Sequence, residues 1–425
     1  MFSLKGVAER TGFILLVLFL IGLGFFQGFQ VHRFTVDLFF VVFEVLWLDA
    51  AVSSIGFAGF FTVSAVIYLV RIGRYASPQE TPEGMITCII PTYRDYEVLD
   101  RSVDSLLESS YDDFKVLIVC EEDDDEGIER AERLAEDDKV EYLVNTKYPG
   151  SKAGAMNYAV EEVDSEYIAF FDSDQRVRPN FLSELVSELQ EHEIVQARNV
   201  PKPDGLIESL SYYESVFFTY ISRQLLTLFT GFRLVGSRSV GMRKDVFEEL
   251  GGYSDDTLVE DYDFAHKCYI NKVDVADVPL PVENLAAHSF RDWWGQRKRW
   301  MTGYFQVMSK MFHKLFKDFS GRRSIFSVLL ASGSLLGSFL MLTVVSKFLI
   351  LFFLGAEMIY SVPVFSLAVI ALAMRLHDRK YNFVDSIGFS WVAVPLVFPF
   401  FSIITVRSFL EFLFDRDMDW YRVEK

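Results

Sequence analysis

The chain has 425 residues, 51% of them hydrophobic and 16% aromatic, yet it carries 59 acidic against 41 basic residues, a formal charge of −18. Soluble domains are rarely so apolar and membrane proteins rarely so acidic, so the two properties must sit in separate regions, and no nucleic-acid partner is expected of so acidic a chain. The three cysteines, Cys88, Cys120 and Cys268, have neither disulfide nor metal-ligand spacing and read as reduced core residues.

Lys5 and Arg10 precede residues 11–29, a charge-free stretch long enough to span a bilayer. Residues 31–50 are apolar but broken by Arg33, Asp37, Glu44 and Asp49. A second candidate span, 51–70, is closed by Arg71 and Arg74. Basic residues before the first span and after the second place both ends inside, making residues 1–76 an outward hairpin.

Residues 77–84, with two prolines and no apolar content, read as a linker. Strands are then predicted at 85–90, 114–120, 140–144, 167–171 and 194–200. Helices are predicted between them at 97–108, 128–136, 153–163 and 180–191. Such alternation specifies a largely parallel sheet with helices on both faces, and ligands bind beyond the carboxyl ends of its strands. The polar loops 91–95, 121–126 and 172–174 all fall at those ends.

Beyond residue 303 the chain turns apolar again. Residues 304–316 form a basic amphipathic pattern suited to a helix lying on a membrane surface. Residues 324–354, 358–374 and 387–406 are candidate spans, with Arg375, Arg379 and Lys380 placing the loop after the second of them inside. A fourth span in 304–425 would require a hairpin within 324–354 or around Pro395 and Pro399.

Five stretches carry chemistry. Asp172 and Asp174 end an apolar strand, and side chains at i and i+2 of an extended segment leave on one side, so both can converge on one cation. A hard divalent ion held by one or two carboxylates keeps room for phosphate oxygens. Lys152, in Ser151-Lys152-Ala153-Gly154, is a point charge for phosphate at a helix start. Glu122, just past the second strand, could accept hydrogen bonds from a uracil ring or ribose. Asp261, next to Glu260, could take a proton from an acceptor hydroxyl; the bland alternative is acidic capping of a helix. In Gln296-Arg297-Lys298-Arg299-Trp300, the arginines offer donors to a diphosphate and Trp300 a flat apolar face for a sugar ring.

Taken together and in this order, flanked by candidate spans, these strings resemble the membrane-bound family 2 glycosyltransferases, the group of cellulose, chitin and hyaluronan synthases. Pro91-Thr92-Tyr93 and Gly251-Gly252-Tyr253 also match, and the resemblance covers about residues 85–300. It implies a cytosolic GT-A domain at 77–303, an α/β Rossmann-like fold between two membrane regions. It also implies an inverting transferase using a nucleotide sugar, usually a uridine diphosphate sugar, with Mg²⁺ or Mn²⁺. Pro91, Thr92, Tyr93, Glu122, Lys152 and Asp172 would bind the donor, Asp172 and Asp174 the metal, and Arg297 and Arg299 the diphosphate. Asp261, beside Glu260, would be the base, and Gln296 and Trp300 would line the acceptor site. The expected location is the cell membrane, multi-pass and among its lipids, with the catalytic domain cytoplasmic. The acceptor is a growing glycan or a lipid-linked molecule. Two departures stand out: Glu121-Glu122 replaces the usual Asp-Asp, and no gating-loop motif follows Trp300, which weighs against processive polymerisation.

Overall fold

The computed structural model describes residues 4–30, 35–38, 41–44, 48–76, 82–317, 321–353 and 357–414. Helices α1 (Leu4–Gln30) and α2 (Leu48–Arg74) occupy the two N-terminal apolar stretches. Between them β1 (Thr35–Leu38) and β2 (Val41–Glu44) form a short antiparallel pair, which the broken apolar pattern of 31–50 did not announce.

The α/β region then runs β3 (Ile86–Thr92), α3 (Tyr96–Leu107), β4 (Phe114–Glu121), α4 (Asp125–Leu134), β5 (Val140–Asn145), α5 (Lys152–Glu162), β6 (Tyr167–Phe170), α6 (Phe181–Glu191) and β7 (Ile194–Pro201). Each predicted strand and helix is present, with no end moved by more than three residues. The two-residue period of the strands sorts their side chains. Ile86, Cys88 and Ile90 pack with Leu99, Val103 and Leu106, which α3 presents on one stripe. Ile89, Ile168 and Phe170 face the other way, onto Met156 and Ala159 of α5. The central strands β3 and β6 are buried on both faces, as near-continuous apolar runs require.

With β8 (Val240–Arg243) and β9 (Val275–Asn284) the sheet has seven strands in the order β5-β4-β3-β6-β8-β7-β9, largely parallel as expected but mixed, because β8 runs against the others. After β7 come α7 (Leu206–Glu214), a π-helical turn (Ser215–Ile221), α8 (Arg223–Thr230), β8 (Val240–Arg243), α9 (Lys244–Glu249), α10 (Glu260–Asn271) and β9 (Val275–Asn284). Strand β8 inserts antiparallel between β6 and β7. Its inversion brings the residues before it, 236–239, to the same sheet edge as the carboxyl ends of β3, β4 and β6.

The last elements are α11 (Phe290–Lys317), α12 (Arg322–Phe353), α13 (Glu357–Lys380), a 3₁₀ turn holding Pro395 (Ser390–Leu396) and α14 (Val397–Leu413). The Gln296–Trp300 string and the basic amphipathic stretch thus share one helix, and the division expected at residue 303 falls inside it. Helix α12 is continuous, so it makes no hairpin. Among the described residues five helices are long and apolar enough to cross a membrane.

A buried ion pair ties the sheet to α13. Arg198 on β7 donates from Nη1 to Asp378 Oδ1 at 2.8 Å and from Nη2 to Oδ2 at 2.6 Å, and Tyr212 Oη adds a bond to Oδ2 at 2.5 Å. Both partners are almost fully enclosed. Removing one member of such a pair strands the other charge. Asp378→Ala is therefore expected to cost roughly 3–5 kcal/mol, read as an earlier thermal unfolding in detergent. The double change Arg198→Met/Asp378→Leu should recover most of that loss, and a single variant as stable as wild type would contradict the clamp.

Candidate active site

One continuous cavity of about 1060 Å³ opens at the carboxyl ends of β3, β4 and β6. Pro91, Thr92 and Tyr93 line it at the end of β3, and Asp172 and Asp174 at the end of β6. The Thr92 hydroxyl is buried and has no hydrogen-bond partner among the described residues. Glu122 lies exposed on the rim, whereas its neighbour Glu121 is buried and structural. Glu121 accepts from Asn145 Nδ2 and from the Gly150 amide, each at 2.8 Å, and so holds the loop leading into α5.

That loop positions Lys152. Ser151 caps α5 by accepting from the Gly154 amide at 2.9 Å. A Cβ on Gly154 would lie 2.3 Å from the Tyr148 carbonyl, so the small residue is required by the returning chain. Lys152, the first helical residue, then reaches Asp172 Oδ1 at 2.5 Å, while Arg238 Nη1 reaches Oδ2 at 3.1 Å. Burial disfavours the Arg238 charge, but Asp172 and Asp174 outweigh it and raise its pKa. Asp174 accepts from the Leu285 amide at 3.0 Å, just past β9.

Arg238 was absent from the sequence reading. The signal available was Gly236-Ser237-Arg238-Ser239 directly before a short apolar strand, but only an antiparallel strand delivers its leading residues to this edge. The Gly251-Gly252-Tyr253 motif holds that segment in place. Gly251 and Gly252 have φ of 72° and 63°, in the left-handed region that glycine tolerates, and Tyr253 Oη donates to the Gly236 carbonyl at 3.0 Å. Asn157 of α5 bonds the Tyr253 backbone in both directions, at 2.8 and 3.0 Å.

Glu260 and Asp261 open α10 and both line the cavity. Glu260 is buried and accepts from Ser237 Oγ at 2.7 Å. Asp261 accepts from the Tyr262 amide at 2.7 Å. Burial, and then the neighbouring Glu260 carboxylate, raise the Asp261 pKa to about 6, against the pull of Lys152 and Arg238. A carboxylate poised there can take a proton near neutral pH.

Helix α11 comes close to this pair because it carries Gly303, where a Cβ would meet Val259 at 2.6 Å. Gln306 accepts from the Leu258 amide at 3.0 Å and fixes the approach. Gln296, Arg299 and Trp300, one helical face by their spacing, line the cavity. Arg297 is placed differently: it is buried and is not part of the lining. Its Nε donates to Glu214 Oε2 at 2.7 Å, Nη1 to Gln296 at 2.6 Å and Nη2 to Ser211 at 3.2 Å. The guanidinium carbon sits 5.0 Å from the Trp293 ring centre and 4.9 Å from that of Trp300. In this arrangement Arg297 buttresses the indole, and Arg299 is the string's arginine on the cavity.

No group of three or more His, Cys, Asp or Glu side chains gathers as a metal site among the described residues. Asp172 and Asp174, both on the cavity wall, are the carboxylates that could hold a hard divalent ion taking most of its oxygens from phosphate and water.

A Rossmann-like sheet with carboxylates at the strand ends, a lysine at a helix start and a second acidic pair on the same cavity is the arrangement in which open α/β sheets bind ligands. Residues 87–251 match the family model Glycosyl transferase family 2. It is 28% identical over 247 residues to a probable glucomannan 4-beta-mannosyltransferase 7 of Oryza sativa subsp. japonica, covering 53% of this chain and 42% of that one. A beta-monoglucosyldiacylglycerol synthase of Trichormus variabilis is 23% identical over 205 residues, covering 47% of this chain and 44% of that one. The chain spans about half the length of the curated relatives it matches. In fold it is similar to the mannosyltransferase PcManGT of Pyrobaculum calidifontis, solved with GDP-Man and Mn²⁺. The TM-score is 0.50 at 15% identity, over 87% of this chain and 100% of that one.

Proposed function

We propose that the protein is a membrane-integrated, inverting glycosyltransferase that moves a sugar from a nucleotide sugar to an acceptor lying over Trp300. The observation that carries this reading is the single cavity shared by Asp172, Asp174, Lys152, Arg238, Asp261 and Trp300. Lys152 and Arg238 pair with Asp172. An arriving diphosphate competes for the same two cations, so donor binding and rearrangement of these side chains are one event. When bound at Asp172 and Asp174, Mg²⁺ or Mn²⁺ would offset the charge of the leaving diphosphate. Asp261 removes the proton of the acceptor hydroxyl as that oxygen attacks the anomeric carbon on the side opposite the leaving group. Arg71 and Arg74 after the second candidate span support a cytoplasmic catalytic domain.

The Gln296–Trp300 string favours extension of a polysaccharide and its export. A cavity wall contributed by α2 and α8 favours the second reading, a single addition to a lipid-linked acceptor. Incubating membranes with labelled nucleotide sugars, uridine and guanosine diphosphate sugars among them, and sizing the product separates the two. Trp300→Ala is expected to leave donor binding unchanged and to cut transfer at least about tenfold, because a stacked sugar needs the wide apolar face. A polymerase would then release shorter chains, while a single-addition enzyme would show only a raised acceptor KM. Weakened donor binding in this variant would contradict the acceptor role.

A further inference from the structure

One wall of the cavity is not explained by donor chemistry. It is built from Tyr68 and Ile72 of α2, Arg223 and Thr227 of α8, and Tyr304 of α11. Arg223 is half-buried, and its Nε is closed to solvent without a partner. Among the described residues it makes no hydrogen bond or ion pair. A guanidinium held in that state lacks an anion, and a phosphate matches its planar fork. Arg223, Tyr304 and the proposed base Asp261 line the same cavity, and the charges of Arg223 and Asp261 both act on the Tyr304 hydroxyl.

Helix α8 supplies a second, independent observation. Arg223 opens it, while Leu228 and Phe229 near its other end are 67% and 80% exposed, before a left-handed turn at Gly231. Large apolar side chains so exposed, on a helix that packs against the candidate span α2, suit contact with acyl chains.

We propose that this wall receives a lipid acceptor whose head group carries a phosphate, with Arg223 as its counter-cation and its chain leaving along α8 past Leu228 and Phe229. The inference rests on the glycosyl-transfer reading. A hydroxyl of the head group is presented to Asp261, which takes its proton. The hydroxyl oxygen bonds to the anomeric carbon as the bond from that carbon to the diphosphate breaks, and the electron pair departs on the nucleoside diphosphate.

The test uses the full chain in phosphatidylcholine nanodiscs, with radiolabelled tetradecyl phosphate as probe and tetradecanol as its neutral counterpart. Wild type should bind the phosphate form at least about tenfold more tightly than the alcohol, and Arg223→Ala and Arg223→Gln should both abolish that preference. Nucleoside diphosphate binding in the presence of Mn²⁺ should be unchanged in both variants. Equal binding of the two probes by wild type would overturn the proposal. So would a variant that loses nucleotide affinity and keeps tetradecyl phosphate, which would assign Arg223 to the donor. Inorganic phosphate competing at the same concentration as tetradecyl phosphate would mean a free-anion site and would overturn the lipid assignment. Absence of any nucleotide-sugar binding by wild type would instead sink the glycosyl-transfer reading itself.

Discussion

Asp261→Asn is expected to abolish sugar transfer while sparing the donor site: a loss of at least about a hundredfold in kcat with an unchanged nucleotide-sugar Kd. Asparagine keeps the volume and can still accept the Tyr262 amide, but it cannot take a proton. The pH dependence sharpens the test. With its pKa raised to about 6, Asp261 is a base only above that value, so kcat/KM of wild type should fall as pH drops through 6. That acidic limb should vanish from whatever activity the variant retains. Stability should move the other way. A carboxyl whose folded pKa lies above its unfolded value binds protons more tightly in the folded state, so ionising it destabilises the fold. The penalty is absent below the unfolded pKa near 3.8, grows as pH rises and is complete above 6. The variant should therefore unfold at a higher temperature than wild type at pH 7.5, with no such gain at pH 3.5. Lower stability at pH 7.5 together with weakened donor binding would identify a structural cap at the start of α10.

Asp174→Asn is expected to remove the response to divalent metal. Chelation should inactivate wild type, with Mn²⁺ or Mg²⁺ restoring it, whereas the variant should remain at least about a hundredfold slower at any metal concentration. The side chain is buried, and its Oδ2 accepts the Leu285 amide, a bond that the asparagine carbonyl can still make, so folding should survive. Isothermal titration of the metal with nucleoside diphosphate present is the second readout. Near-normal turnover in the variant would refute the metal assignment. Asp172→Asn should behave differently, because it also releases Lys152 and Arg238 from their shared partner.

Residues whose placement depends on short stretches were legible in the sequence. An apolar run ending in Asp172 and Asp174, a lysine after a serine cap, and two carboxylates before a helical pattern each contain their own geometry. The rule that strand ends gather ligands then collects them at one edge. What was hidden depends on distant chain. Arg297 has the same local appearance as Arg299, but Glu214, 83 positions earlier on α7, claims it. Arg238 reaches the site only because β8 runs against its neighbours. The small residue at Gly154 is required by the returning Tyr148 carbonyl, a contact that the local string does not reveal. Short β1 and β2 were missed because four residues are too few to show a period.

The inverted strand also sets the order in which the protein can be made. Strands β6 and β7 are consecutive in the chain but not adjacent in the sheet, and the slot between them is filled by residues 240–243. During synthesis from the N-terminus, β6 therefore exposes an open hydrogen-bonding edge until some seventy further residues have emerged. The half-built sheet is a template for wrong partners in that interval, and the cavity has neither Arg238 nor Asp261 in place. A ribosome-bound chain stopped before residue 240 would thus be sticky and inert, and chaperone demand should fall sharply once β8 clears the exit tunnel.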